Sequence, residues 1–134
     1  MRKFIWNQYS VEVNPKGIGT YGTVYFGYDL KNKRKVAIKK IPKIAVADNE
    51  TFIMRSYGKS KYLPAFYNYF VKNKQAHIVM EQVEGKPLGV SNFYYEGKKR
   101  SVKQAVQIVI YILKALQHLY TIKALYTMIC CRKM

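Results

Sequence analysis

Apolar and polar positions alternate with period two along much of the first half of the chain. Ser10-Val11-Glu12-Val13 sets polar residues on one side and valines on the other, as a half-buried strand does. Thr23-Val24-Tyr25-Phe26-Gly27-Tyr28 is β-branched and aromatic, which suits a second strand. Lys35-Val36-Ala37-Ile38-Lys39-Lys40-Ile41 alternates again as a third, ended by Pro42. Gly17 to Gly22 forms a glycine-rich turn between the first two, and Asp29 to Arg34 is polar turn material. Asp48 is placed to cap a short helix running through Glu50, Phe52, Ile53 and Met54 to about Tyr57, with Gly58 as its stop. Two further strands are predicted over 65–71 and 76–83, joined by Lys72-Asn73-Lys74, and Glu84-Gly85-Lys86-Pro87 breaks the pattern.

From Ser101 the period changes. Apolar residues at 102, 105, 106, 109, 112, 113, 116 and 119 follow the three-and-four spacing of one helical face, so Ser101 caps a long helix to about Tyr120. Ile108 and Ile110 add apolar surface on other sides, which predicts burial nearly all round. The order is five strands with one helix inserted after the third, then a separate helix. That is an α+β fold: a mainly antiparallel five-stranded sheet packed by one helix, followed by a long C-terminal helix.

Composition narrows the picture. The 134 residues are 49% hydrophobic, which excludes compositional disorder. Lys and Arg number 24 against 7 Asp and Glu, a net charge of +17 that promotes non-specific attraction to nucleic acid or anionic membrane. The basic residues are spread along the chain, with short clusters such as Lys31-Asn32-Lys33-Arg34-Lys35 and Lys98-Lys99-Arg100. No zinc-ligand spacing, RNA-binding signature or long basic arm accompanies them, so a solvated basic surface is expected rather than a dedicated nucleic-acid site. Lys103, Gln104, Gln107, Lys114 and Gln117 interrupt the apolar stretch 102–119, so no membrane span is expected. No signal peptide is visible, and the adjacent Cys130 and Cys131 point to a reducing compartment, cytoplasmic or nuclear. His77 and His118 have no carboxylate nearby in sequence and read as structural.

Candidate chemistry gathers at the glycine turn. Dinucleotide-binding folds also use Gly-x-Gly-x-x-Gly, but there the glycines open a helix. Here Val24-Tyr25-Phe26 continues as a strand, so the turn is a hairpin flap. Glycines lack Cβ, which lets backbone approach a polyphosphate closely, and N–H groups in such a turn can donate to phosphate oxygens. Tyr21 at the tip is placed to shield phosphates from water. Taken alone, the motif fits an ordinary glycine-rich hairpin better.

One hairpin later, Val36-Ala37-Ile38-Lys39 changes the balance. With Gly17-x-Gly19-x-x-Gly22-x-Val24 it closely resembles the glycine-rich loop and lysine strand of protein kinases, of the eukaryotic Ser/Thr type. The resemblance implies an ATP site. Gly17, Ile18, Gly19, Thr20, Tyr21 and Gly22 would cover the phosphates, Lys39 would grip the α- and β-phosphates, and Val24 and Ala37 would press on one face of the adenine. A kinase also needs a carboxylate on the inserted helix to hold that lysine, and Glu50 fits. The link to it is shorter than the family's by about two to three helical turns. Two readings of Glu50 therefore stand side by side: partner of Lys39, or exposed first-turn carboxylate favoured by the helix dipole. Ile78-Val79-Met80-Glu81-Gln82-Val83-Glu84-Gly85 resembles the last strand and the hinge. Met80 would guard the back of the pocket, and main-chain groups of Glu81 and Val83 would bond the adenine edge. By this resemblance residues 1–85 form a nucleotide-binding small lobe, and 86–134 follow the hinge as the beginning of a larger lobe.

The resemblance runs from residue 11 to about 129 and weakens at its end. Ala115-Leu116-Gln117-His118-Leu119-Tyr120 resembles the helix before the kinase catalytic loop, where His-Arg-Asp should follow. Leu125-Tyr126-Thr127-Met128-Ile129 stands there instead, with Met128 in the place of the catalytic Asp. A thioether cannot orient a substrate hydroxyl or take its proton as a carboxylate does. Neither the family's metal-binding Asn nor its Asp-Phe-Gly motif follows, so no metal-ligating residue is assigned and magnesium is expected only through the phosphates. Losing comparable groups costs roughly 10³–10⁶ in rate. The sequence therefore reads as a truncated, pseudokinase-like ATP binder that transfers phosphate poorly on its own, with no catalytic residue assigned. Beside it stand an interaction or decoy protein that pairs with a full-length kinase, self-association through the helix 101–120, a non-specific nucleic-acid binder, and the product of a degraded kinase gene. The sequence also resembles the compact kinases of large DNA viruses, which implies a host cell.

Overall fold

The computed structural model describes residues 3–85, 94–95, 98–99 and 101–131, with side chains over 3–85 and 101–121. The chain divides into two compact units, residues 1–59 with 64–83, and residues 60–63 with 84–134.

The first unit is a curled antiparallel sheet. Its strands are β1 (Lys3–Trp6), β2 (Tyr9–Glu12), β3 (Gly17–Ile18), β4 (Thr23–Asp29), β5 (Arg34–Ile41), β6 (Phe66–Lys72) and β7 (Gln75–Glu81), with helix α1 (Ile44–Tyr57) inserted after β5. The order is β1-β2-β4-β5-β7-β6, and β3 pairs with β4 off that path. The five expected strands are present, and the short β1 and β3 join them. β5 lies between β4 and β7, and Val36, Ala37, Ile38 and Ile41 on it are buried.

One face of the sheet closes around Tyr9, Val11, Val36, Ile38 and Val79, with Trp6, Tyr25, Tyr67 and Phe70 packed against them. β4, β5 and β7 separate β2 from β6 in the sheet order, yet Asn68 on β6 donates to the Tyr9 hydroxyl at 2.9 Å. The Tyr9 ring also stacks on Phe70, with centroids 5.9 Å apart. Only strong curling brings those strands together, and it wraps the sheet around its own apolar face.

α1 buries Ala47, Thr51, Met54 and Tyr57, a three-and-four stripe, and contacts β5, β6 and β7. It begins earlier than expected. Lys43 is the N-cap and makes no side-chain cap bond. Asp48 lies inside the helix rather than capping it, and its carboxylate accepts from the Tyr69 hydroxyl at 2.7 Å. The expected stop is present: Gly58 follows Tyr57 at φ 59°, where a side chain would be strained.

The second unit contains helix α2 (Val102–Cys131) and the short paired strands β8 (Tyr94–Tyr95) and β9 (Lys98–Lys99). Ser101 and Gln104 form a reciprocal capping box. Ser101 Oγ accepts the Gln104 amide at 3.3 Å, and Gln104 Oε1 accepts the Ser101 amide at 3.0 Å. α2 runs well past the expected end at Tyr120. Its apolar side chains are also less covered than their density predicts: Val106, Val109, Ile112, Leu113 and Leu116 are each more than half exposed. Apolar density alone cannot say what covers a helix, and here burial all round is not observed. Among the described residues, no helix is long and apolar enough to cross a membrane.

Candidate functional site

Strand register decides which side chains share a surface. Val24 stands opposite Lys39 and Phe26 opposite Ala37 between β4 and β5. Ala37 stands opposite Met80 and Lys39 opposite Ile78 between β5 and β7. Directly opposed residues point to the same face, and every second residue along a strand returns to it. Val24, Phe26, Ala37, Lys39, Ile78 and Met80 therefore form one surface, an apolar floor ending in an ammonium group.

α1 brings Glu50 to that ammonium. Lys39 Nζ donates to Glu50 Oε1 at 2.9 Å and to Oε2 at 2.7 Å, so both carboxylate oxygens hold it. Because α1 starts at Ile44, Glu50 sits in its second turn. The earlier start makes up for the short link, and of the two readings of Glu50 the ion pair is realised. The side chains are 24% and 30% exposed, so the pair borders solvent.

The glycine flap is the β3–β4 hairpin. Lys16 donates its amide to the Val24 carbonyl at 2.8 Å, and Gly19 donates to Gly22 at 2.9 Å, leaving Thr20 and Tyr21 at the tip. Ile18 and Tyr21 are largely exposed. Of the three flap glycines, only Gly22 is demanded by packing: a Cβ there would fall 2.5 Å from the Lys40 carbonyl oxygen. Gly19 would make ordinary contact with Gly22 at 3.6 Å, and Gly17 faces open space.

At the far end of the floor, the Glu81 amide donates to the Ala65 carbonyl at 2.8 Å, and the Glu81 carboxylate accepts the Ala65 amide at 3.1 Å. The Glu81 amide is thus already committed within the first unit. Val83 lies past the end of β7 and is exposed. Two residues of this surface were not singled out from sequence. Phe26 lies beside Ala37, and Lys16, held by Glu12 at 2.9 Å, places its Nζ 5.6 Å from the Phe26 ring centre. Phe26 shares parity with Val24 along β4, so the signal for it was in the alternation.

His77 is structural. Its ring stacks on Phe70 at 4.8 Å, meets Trp6 edge-on at 5.0 Å, and its Nδ1 lies 3.1 Å from the Gln75 carbonyl. Burial holds its pKa below the ordinary histidine value; the Gln75 bond opposes this, and the Lys40 and Lys72 charges reinforce it. Among the described residues, no three His, Cys, Asp or Glu side chains gather as a metal site. Positions 125–129, aligned with the catalytic loop, fall within the helical span of α2, and their side chains lie outside the described residues.

The model of the family described as the protein kinase domain matches residues 11–128. Among curated proteins, the chain is similar to mitogen-activated protein kinase kinase kinase 5 of Homo sapiens, 37% identical over 73 residues, which is 52% of this chain and 5% of that protein. It is also similar to the probable serine/threonine-protein kinase zyg-1 of Caenorhabditis elegans, 40% identical over 72 residues, which is 52% of this chain and 10% of that one. It thus spans a small fraction of either relative's length. The solved structure "PpkA-294 apo form" superposes with a TM-score of 0.56 at 17% identity, over 67% of this chain and 40% of that chain, a likeness of fold.

Proposed function

The chain belongs to the protein kinase family, and from that premise we propose that it binds ATP on the surface running from Met80 to Lys39 under the Gly17–Gly22 flap. The observation that carries this reading is the two-pronged grip of Glu50 on Lys39 Nζ, at 2.7 and 2.9 Å. A lone strand lysine would swing through solvent. Held from behind, its ammonium meets phosphate oxygens with little left to organise, which is how positioning contributes to phosphate binding.

The remaining parts follow from the floor and the flap. Val24, Ala37 and Met80, with Phe26, offer apolar contact to a flat base. Gly17 has open space where a Cβ would stand, so backbone there can approach an oxyanion closely. Tyr21 at the exposed tip would limit water access to the phosphates. Magnesium supplies charge neutralisation on the polyphosphate it accompanies, and the described residues offer no clustered ligands of their own for it.

The reading stops at binding. The helical course of α2 through 125–129, with Met128 where the family's catalytic Asp would stand, supports a chain that holds nucleotide without efficient phosphoryl transfer of its own. Thermal-shift titration with ATP, with and without magnesium, tests the proposal. A saturable rise in melting temperature that Lys39→Ala abolishes is expected. No shift with ATP, or a shift that survives Lys39→Ala, would remove the basis for the site.

A further inference from the structure

The second unit carries a groove of about 530 Å³ that the nucleotide surface does not use. Tyr62 and Leu63 form one wall, and Tyr111, Ile112, Leu116 and Leu119 of α2 form the other. The Tyr62 and Tyr111 rings lie 5.7 Å apart and bound the groove. The helical lining repeats at intervals of three and four residues, a continuous stripe about 12 Å long over the eight rises from Tyr111 to Leu119.

The rim of this apolar trough is cationic. Lys61 Nζ lies 5.2 Å and Lys114 Nζ 5.7 Å from the Tyr62 ring centre. Both ammonium groups thus lie beside the same ring. Desolvation would raise the pKa of Tyr62, but bonds from Lys61 and Lys114 outweigh it and hold it below the ordinary tyrosine value. In the sequence of this unit Glu84 and Glu96 are the sole acidic residues.

We propose that this groove docks an acidic, amphipathic helical segment of another protein, its apolar stripe laid along Tyr111 to Leu119 and its carboxylates meeting Lys61 and Lys114. Charge decides the occupant. A groove that is apolar inside and doubly cationic at its edge matches a helix with one apolar and one acidic face. A second copy of this chain is a poor match. Each copy carries +17, and its described carboxylates are already engaged. Glu12 pairs with Lys16, Glu50 with Lys39, and Asp29 accepts from Gln8 and Asn32. Asp48 accepts from Tyr69, Glu81 from the Ala65 amide, and Glu84 also has a partner. Nucleic acid would meet the lysines but leave the apolar trough unfilled.

The test is fluorescence anisotropy on the full chain with two labelled helical peptides. Both carry leucines on one face; the opposite face is glutamate in one and lysine in the other. The glutamate peptide is expected to bind saturably and the lysine peptide not to bind. Leu116→Glu, at a position 55% exposed and so outside any core, should weaken binding about tenfold or more. The double change Lys61→Glu and Lys114→Glu should do the same. Lys31→Glu, in the other unit, should change little, and Lys39→Ala should leave peptide affinity intact, separating this surface from nucleotide binding. Three results would each overturn the proposal: no saturable binding, affinity insensitive to Leu116→Glu (net charge alone), or a Leu116-dependent dimer in sedimentation (a second copy in the groove).

Discussion

Lys39 and Glu50 are eleven residues apart in the chain and joined by both carboxylate oxygens, at 2.7 and 2.9 Å. The pair borders solvent, so its net contribution to stability is small, up to about 1 kcal/mol. Its effect is on orientation. Glu50→Gln is therefore expected to leave the urea midpoint nearly unchanged while weakening ATP binding about tenfold, since the amide keeps the shape but loses the charge that holds the ammonium. Calorimetric titration beside a denaturation curve separates the two effects. A large loss of stability with unaltered ATP affinity would make the pair a structural brace instead.

The flap glycines should divide by mechanism. A methyl group at Gly22 would meet the Lys40 carbonyl oxygen at 2.5 Å and Ile41 Cγ1 at 3.1 Å, and backbone there cannot swing aside. Gly22→Ala is expected to destabilise the fold by about 1–3 kcal/mol, as overpacking does. At Gly17 nothing lies within 4 Å of the added carbon. Gly17→Ala should be near neutral for stability and should lower ATP affinity if phosphate approaches there. Thermal melts with and without ATP distinguish the two variants.

Much of this architecture was legible in the chain, for identifiable reasons. Central strands such as β4 and β5 alternate because one side must enter the core, and the same parity that marks Val24 marks Phe26. β1 has no such mark, because Lys3-Phe4-Ile5 is exposed at the sheet's edge and carries no burial rhythm. The start of α1 carries no mark in the sequence because Lys43 supplies no capping side chain, and Asp48 is the nearest residue of a capping type. Whether Glu50 reaches Lys39 depends on where that helix begins. The length of α2 is legible in the sequence, since no Gly or Pro interrupts residues 102–131. Exposure of its apolar residues was not available, because periodicity names a face and not what lies against it.

His77 should make the fold acid-sensitive. An unfolded chain takes up a proton there near pH 6.5, about the ordinary histidine value. The folded chain resists, because the ring is buried and its pKa is lowered. The unfolded state therefore binds more protons as pH falls through that value, and stability declines until the folded pKa is passed. His77→Phe keeps an aromatic ring against Phe70 and Trp6. Its urea midpoint should fall less between about pH 7.5 and about pH 5, which bracket the ordinary histidine value, than that of the wild-type chain. Parallel curves would show that the histidine does not carry this dependence.

Asp29 is the second acid-sensitive point, lower on the pH scale and built differently. It is fully buried at the end of β4. Oδ1 accepts from Gln8 Nε2 at 2.8 Å and from the Lys31 and Asn32 amides at 3.1 Å, and Oδ2 accepts from Asn32 Nδ2 at 2.7 Å. These donors tie the β1–β2 turn to the β4–β5 turn. Burial alone would raise the pKa, but the bonds from Asn32, Gln8 and Lys31 outweigh it and lower it. The folded state thus binds its proton later than the unfolded one. The contribution is present above about pH 3.9, the ordinary aspartate value, and is lost as pH falls through the folded value. Because both oxygens face donors, Asn cannot substitute without turning an NH₂ toward one of them. Asp29→Asn should cost about 2 kcal/mol at pH 7, the scale of hydrogen bonds to a charged group. In urea titrations at successively lower pH, the gap between wild type and variant should narrow as the wild-type carboxylate takes up its proton. A gap that stays constant into strong acid would mean the carboxylate charge contributes nothing, and the turn is held by shape alone.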